Sequence, residues 1–333
     1  MSAHLLPLAS IGSSVSSFVD GVGSFADGIA KIHPLDLLIA LVCFGIYLTI
    51  RARAFFHILR AAYPTERIAF RQIWGAYVAA YGFNNIIPAR GGDVIKLFLS
   101  RTSVPHSTYS AIGSAFFVEV IFDGCIAIPV LLFAFTRGVF PKPPDFASLN
   151  AFDLSFLASN LRLTLFLLTA LAVLVLLAIA LLSARVRAFW SRVRQGVVIL
   201  QDRKRYVREV WLVQLLGWAF RFAAFWFLLE AFNVGGSVAN VLLVLGVNVV
   251  AALLPFTPGG AGVQQAFLLK VFAGTASGAT IAAYAVGQQI AIAVFSLGLG
   301  FVALVTVFRF RSFKAVIQAG KASREAERAG APA

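Results

Sequence analysis

Two stretches concentrate the polar chemistry of an otherwise apolar chain. NNIIPARGGDVIK, Asn84 to Lys96, brings together Asn84, Asn85, Arg90, Gly91, Gly92, Asp93 and Lys96. Pro88 stops the incoming helix and disfavours helical geometry at Ile87. Gly91 and Gly92 permit positive φ and close approach of another group. Asp93 can serve as N-cap of the returning segment. A helix N-terminus at that point presents N–H donors and the positive end of its dipole, and Arg90 adds a planar fork suited to a phosphate. The chemistry is anion binding, with a lipid headgroup phosphate as the obvious anion. The alternative is an Arg90–Asp93 pair that only holds the break. LLPFTPGGAGVQQ, Leu253 to Gln265, repeats the design with neutral groups: Pro255, Pro258, Gly259, Gly260, Gly262, Gln264 and Gln265, with Asn248 just upstream. It reads either as a turn that opens backbone donors or as a packed structural turn.

Three charges interrupt apolar runs, where charge is costly and therefore informative. Glu119 lies about 14 Å into its helix at 1.5 Å per residue. Asp123 follows at i+4 on the same face. Arg221 lies at a similar depth in a later helix, so Glu119 and Arg221 are candidate partners, either as a structural ion pair or as a gating and proton-coupling set with Asp123. Glu230 and Lys270 sit nearer an end and are expected to snorkel, and Gln288 and Gln289 to make packing hydrogen bonds. No catalytic set emerges. His4, His33, His57 and His106 are scattered without metal-ligand spacing, and there is no nucleophile elbow or P-loop. Cys43 and Cys125 fall inside apolar runs and read as inert. Asp20 and Asp27 read as solvated. No metal and no cofactor is expected.

The elements that position these residues are transmembrane helices. The chain of 333 residues is 60% hydrophobic and 13% charged, against about 25% charge in soluble domains. Residues 1–33 lack the pattern of a cleavable signal peptide and read as an external lead-in. The net charge of +14 lies in three blocks, 51–71, 185–209 and 309–328, with net +4, +6 and +4. This is the distribution of the positive-inside rule rather than of a nucleic-acid binder, so no nucleic-acid partner is expected.

With those blocks cytoplasmic, the topology follows. Spanning helices are expected at about 35–50, 110–135, 161–182, 209–232 and 280–308, with the N-terminus outside, an external loop at 137–160 and a basic cytoplasmic tail at 310–333. Segments 72–101 and 238–272 must each enter and leave on one side, so each reads as a re-entrant hairpin with a Pro/Gly tip and a short second limb. The fold class is an all-α polytopic membrane protein. It has two inverted repeats, 35–135 and 209–308, each with a re-entrant helical hairpin, joined by the connecting helix 161–182 within a domain spanning 34–309. Inverted repeats with discontinuous helices are a transporter arrangement. The alternative is that both segments span fully as ordinary helical pairs.

At these motifs the chain resembles the flippase-like membrane family related to the transmembrane region of lysylphosphatidylglycerol synthase. An N-x-x-x-P-x-R-x-G-D segment is matched by Asn84, Pro88, Arg90, Gly92 and Asp93. A Glu–Arg–x–x–Asp element is matched by Glu119 and Asp123, with Val120 in place of Arg. A late P-x-x-P-G-G-x-G-x-x-E segment is matched by Pro255, Pro258, Gly259, Gly260 and Gly262, with Gln265 in place of Glu. The resemblance implies lipid handling in a bacterial inner membrane: translocation or presentation of a lipid with a phospho- or glyco-headgroup between the two tips. Some relatives accompany hopanoid or glycolipid pathways. The chain is not expected to make an aminoacyl lipid, since members that do so carry an added soluble transferase domain. The alternatives are a membrane transferase with Glu119 or Asp123 as base, and a non-catalytic partner that delivers lipid to a biosynthetic enzyme.

Overall fold

The computed structural model describes residues 31–87, 91–137, 191–252 and 262–309. The expected connecting helix 161–182, the loop 137–160 beyond Arg137, the tail 310–333 and nearly all of the lead-in lie outside them.

Among the described residues, eight helices of nine residues or more carry the architecture. They are α1 (Pro34–Ala62), α2 (Phe70–Asn84), α3 (Gly92–Ser103), α4 (Tyr109–Thr136), α5 (Arg203–Ala231), α6 (Val238–Ala252), α7 (Val263–Val271) and α8 (Gly278–Val307). The termini have local causes. Pro34 and Asp36 open α1, where a missing N–H costs nothing and a carboxylate complements the dipole. Asp202 accepts the Arg205 N–H at 3.0 Å to open α5, and Ser277 accepts the Thr280 N–H at 3.1 Å to open α8. Residues Val207–Trp211 of α5 form a π-helical turn.

α1, α4, α5 and α8 are long and apolar enough to cross a bilayer, which makes the chain a polytopic helical membrane protein. α1 departs from expectation: it runs to Ala62 rather than ending near Ile50. Arg51, assigned above to a cytoplasmic loop block, is therefore inside a helix and buried. The helix continues because the apolar pattern resumes past it, with Ala54, Phe55, Phe56, Ile58 and Leu59 all in the core.

Both expected breaks are present, between α2 and α3 and between α6 and α7. α1 to α4 are 29, 15, 12 and 28 residues long. α5 to α8 are 29, 15, 9 and 30 residues long. Packing follows the same order. α1 packs along α5, α2 crosses α8, and α6 crosses α4. The α2–α8 crossing is close, since a Cβ on Gly82 would stand 2.7 Å from the Ser296 carbonyl oxygen. At the other crossing Gly246 faces Ala134. Small residues let membrane helices approach in this way.

Candidate functional site

The first break is held by asparagines. Asn84, the last residue of α2, accepts the Gly92 N–H through Oδ1 at 2.8 Å and donates through Nδ2 to Asp93 Oδ1 at 3.2 Å. Asn84 thus caps α3 from across the gap, and Asp93 is not the N-cap. α3 begins at Gly92 and Asp93 lies in its first turn, where its charge faces the positive end of the dipole. Gly91 has φ −59° and neither it nor Gly92 adopts positive φ. What the position demands is proximity: a Cβ on Gly92 would come 2.0 Å from the Ala80 carbonyl oxygen. Asn85 donates to the Tyr81 carbonyl oxygen and to Ser296 Oγ, each at 3.0 Å, which ties the break to α8. Arg90 lies outside the described residues.

One turn into α3, Lys96 enters a buried charged cluster. Its Nζ contacts Glu119 Oε2 at 2.5 Å. The same ammonium stands over the rings of Phe55, Phe116 and Tyr77, at 4.1, 4.2 and 4.3 Å from their centroids, a three-sided cation–π cage. Arg51 approaches from α1. Its Nη1 and Nη2 form a fork on Asp123 at 2.6 and 2.9 Å. Nη1 also reaches Gln214 Oε1 at 2.8 Å, and Nε donates to Tyr77 Oη at 3.1 Å. Arg51 Nη2 lies 3.9 Å from Glu119 Oε1. Two cations thus face two carboxylates. Arg51, Lys96 and Glu119 are each under 8% exposed, while the Asp123 side chain is 45% exposed. Asp123 is therefore the accessible edge of an otherwise enclosed cluster. Uncompensated, each such charge costs about 2.5–3.5 kcal/mol at a helix centre on insertion scales; pairing and the aromatic cage offset that cost.

The expected Glu119–Arg221 pair does not form. Arg221 lies over the rings of Trp218, Tyr47 and Phe225, at 5.0, 5.6 and 5.9 Å, and Glu119 is taken by Lys96 and Arg51. Depth along a helix gives height in the membrane but not the direction a side chain faces. The sequence reading also missed Arg51, Tyr77 and Gln214. The signal for Arg51 was the apolar stretch that follows it, which a loop would not carry.

The second break is uncharged. Gly262 adopts φ +84°, as glycine can. Gln265 Oε1 accepts its N–H at 2.5 Å, while Gln265 Nε2 bonds Gln289 Oε1 on α8. Gln264 donates to Asn248 Oδ1 at 2.6 Å, joining α7 to α6. Gly259 and Gly260 lie outside the described residues. Among those described, no group of His, Cys, Asp and Glu could hold a metal ion.

Comparison with known proteins places the chain in a family. The model of the lysylphosphatidylglycerol synthase TM region matches residues 8–300. No curated protein and no solved structure matches the chain.

Proposed function

The chain belongs to the lysylphosphatidylglycerol synthase TM-region family, and from that premise we propose that it translocates or presents a lipid across a bacterial inner membrane. Membership makes it a membrane protein of lipid metabolism or transport. The narrower reading is carried by the cluster beside the first break, in which buried Arg51, Lys96 and Glu119 stand behind the half-exposed Asp123. A charged cluster inside an apolar helical body is expensive and marks function in membrane proteins.

In this reading the two broken segments are re-entrant hairpins and the halves are inverted repeats. The matched helix lengths and the exchanged crossings, α2 on α8 and α6 on α4, support both. The N-terminus lies outside and the C-terminus in the cytoplasm, supported by Arg53 and Arg60 exposed at the end of α1 and by the basic segment that opens α5. The headgroup is held between the tips: Arg90 with the Asn84, Asn85, Gly91, Gly92 and Asp93 turn takes its phosphate, and the Asn248, Gly262 and Gln265 turn, with Gly259 and Gly260, closes the other side. Asp123, the accessible member of the cluster, answers the passing headgroup, with Glu119 and Lys96 behind it. Arg221 steadies the second half.

The test is translocation of a labelled lipid in vesicles reconstituted with the whole protein. Arg90→Ala and Asp123→Asn are expected to slow it at least tenfold. Unchanged rates in Arg90→Ala remove the phosphate role, and unchanged rates in both remove the site.

A further inference from the structure

Behind the second break, α8 buries hydrogen-bonding capacity that nothing among the described residues uses. Gln288 is 0% exposed, and neither its Oε1 nor its Nε2 has a partner. Tyr284, one turn earlier on the same face, is also 0% exposed, and its Oη has none. Its ring is fixed edge-on between Phe232 and Phe272, at centroid distances of 6.0 and 6.4 Å, so the hydroxyl has a defined position. Buried polar groups are nearly always satisfied, and an unpaired one is costly. Three such atoms on one face, in a core where Leu or Phe would fit, need a reason.

The donor and acceptor types say what would satisfy them. Gln288 offers an amide N–H pair and a carbonyl oxygen; Tyr284 offers a hydroxyl that both gives and accepts. Neither carries charge. The side-chain contacts of the second break are between uncharged amides as well: Gln289 with Gln265, and Gln264 with Asn248. A phosphate would want a cation here, and an ammonium would want a carboxylate. Uncharged groups that both donate and accept are hydroxyls, amides and water; of these, the hydroxyls of a polyol or sugar offer several such groups in a row to the three unpaired atoms.

We propose that Tyr284 and Gln288 form a second, uncharged recognition site that takes the hydroxyl groups of a polyol or sugar. This rests on the lipid-handling reading and adds to it a headgroup class, recognised by the second half. The site is closed in this conformation. In this proposal the site opens where α7 meets α8, with the Gln265–Gln289 contact as one link that gives way. The shared chemistry is the vicinal hydroxyl, whether borne by a lipid or by a free solute.

The experiment uses the full chain in detergent, equilibrated with mixed micelles of phosphatidylglycerol and phosphatidylpropanol, which differ only in the headgroup hydroxyls. Bound lipid is quantified by mass spectrometry. Wild type is expected to retain the hydroxylated lipid about tenfold over its counterpart, the effect of one or two buried hydrogen bonds. Tyr284→Phe and Gln288→Leu should each move the ratio toward one, with total retained lipid unchanged. Both variants should melt no lower than wild type, since each removes an unsatisfied group. A wild type that does not discriminate, or variants that keep its ratio, overturn the proposal while leaving lipid handling intact. Co-purification of neither lipid with the protein sinks both readings. Competition by an excess of free glycerol assigns the site to a free polyol; no competition assigns it to the lipid.

Discussion

The four helices α1–α4 and the four helices α5–α8 match in order of length and carry different chemistry. Arg51 is the eighteenth residue of α1 and Arg221 the nineteenth of α5. The π turn at Val207–Trp211 accommodates one extra residue, which brings the two arginines to the same register. Arg51 forks onto Asp123; Arg221 lies over Trp218 and Tyr47. Glu119 is the eleventh residue of α4, and the eleventh of α8 is Gln288. Asp93 and Gln264 are each the second residue of their returning helix, and each faces an asparagine on the preceding one. At two of these three positions a carboxylate in the first half is answered by an amide in the second. Similar helix lengths therefore carry different charge, and among the described residues the ion pairs made by buried cations, Arg51 with Asp123 and Lys96 with Glu119, join helices α1, α3 and α4.

That contrast can be broken at its strongest point. Arg51→Met leaves Asp123 and Glu119 without their fork, and breaking a buried pair by removing one partner costs about 3–5 kcal/mol. Thermal unfolding in detergent should show the largest loss of any single change discussed here. Arg221→Met, at the matching register, removes ring contacts worth about 1 kcal/mol; equal losses at the two sites would erase the distinction between the halves. Between these lies Lys96→Met, which strands Glu119 and is expected to cost about 3 kcal/mol. The double change Lys96→Met with Glu119→Leu should recover at least half of that loss, since an apolar pair of similar volume is tolerated where a lone charge is not. Additive losses would mean that the ammonium and carboxylate are not coupled. The smallest effect is expected from Gln265→Glu. The carboxylate still accepts the Gly262 N–H but cannot donate to Gln289, a change of about 1 kcal/mol or less. A larger loss would show that the second half depends on its neutrality as strongly as the first does on its charges.

Much of this was legible from the chain alone, and the limits have physical causes. Pro88 and Pro255 with their following glycines mark both breaks, because a proline that removes a backbone donor followed by a glycine pair strongly favours a helix ending there. Glu119 and Asp123 stand out because an apolar run makes any charge conspicuous. Arg51 did not, because it sits where an apolar run meets a basic one, and only the core positions after it show that the helix continues. The roles within the first turn were also exchanged. Asp93 has the composition of a cap, yet Asn84 does the capping, because α3 returns close enough for a side chain from the preceding helix to reach its first N–H. Such contacts between elements depend on azimuth and approach, which a one-dimensional pattern does not carry. Gln288 and Tyr284 read as ordinary packing residues until their burial and lack of partners are seen together.

The Arg51 guanidinium has a mechanical consequence. From α1 it bonds Tyr77 on α2, Asp123 on α4 and Gln214 on α5, so one planar group pins the heights of four helices. Sliding any one of them by a helical turn, about 5.4 Å, would carry its partner out of reach. Rotation about the guanidinium would not. If the halves move past one another while these bonds last, they rock on a pivot rather than travel like an elevator, and the axis passes close to Arg51.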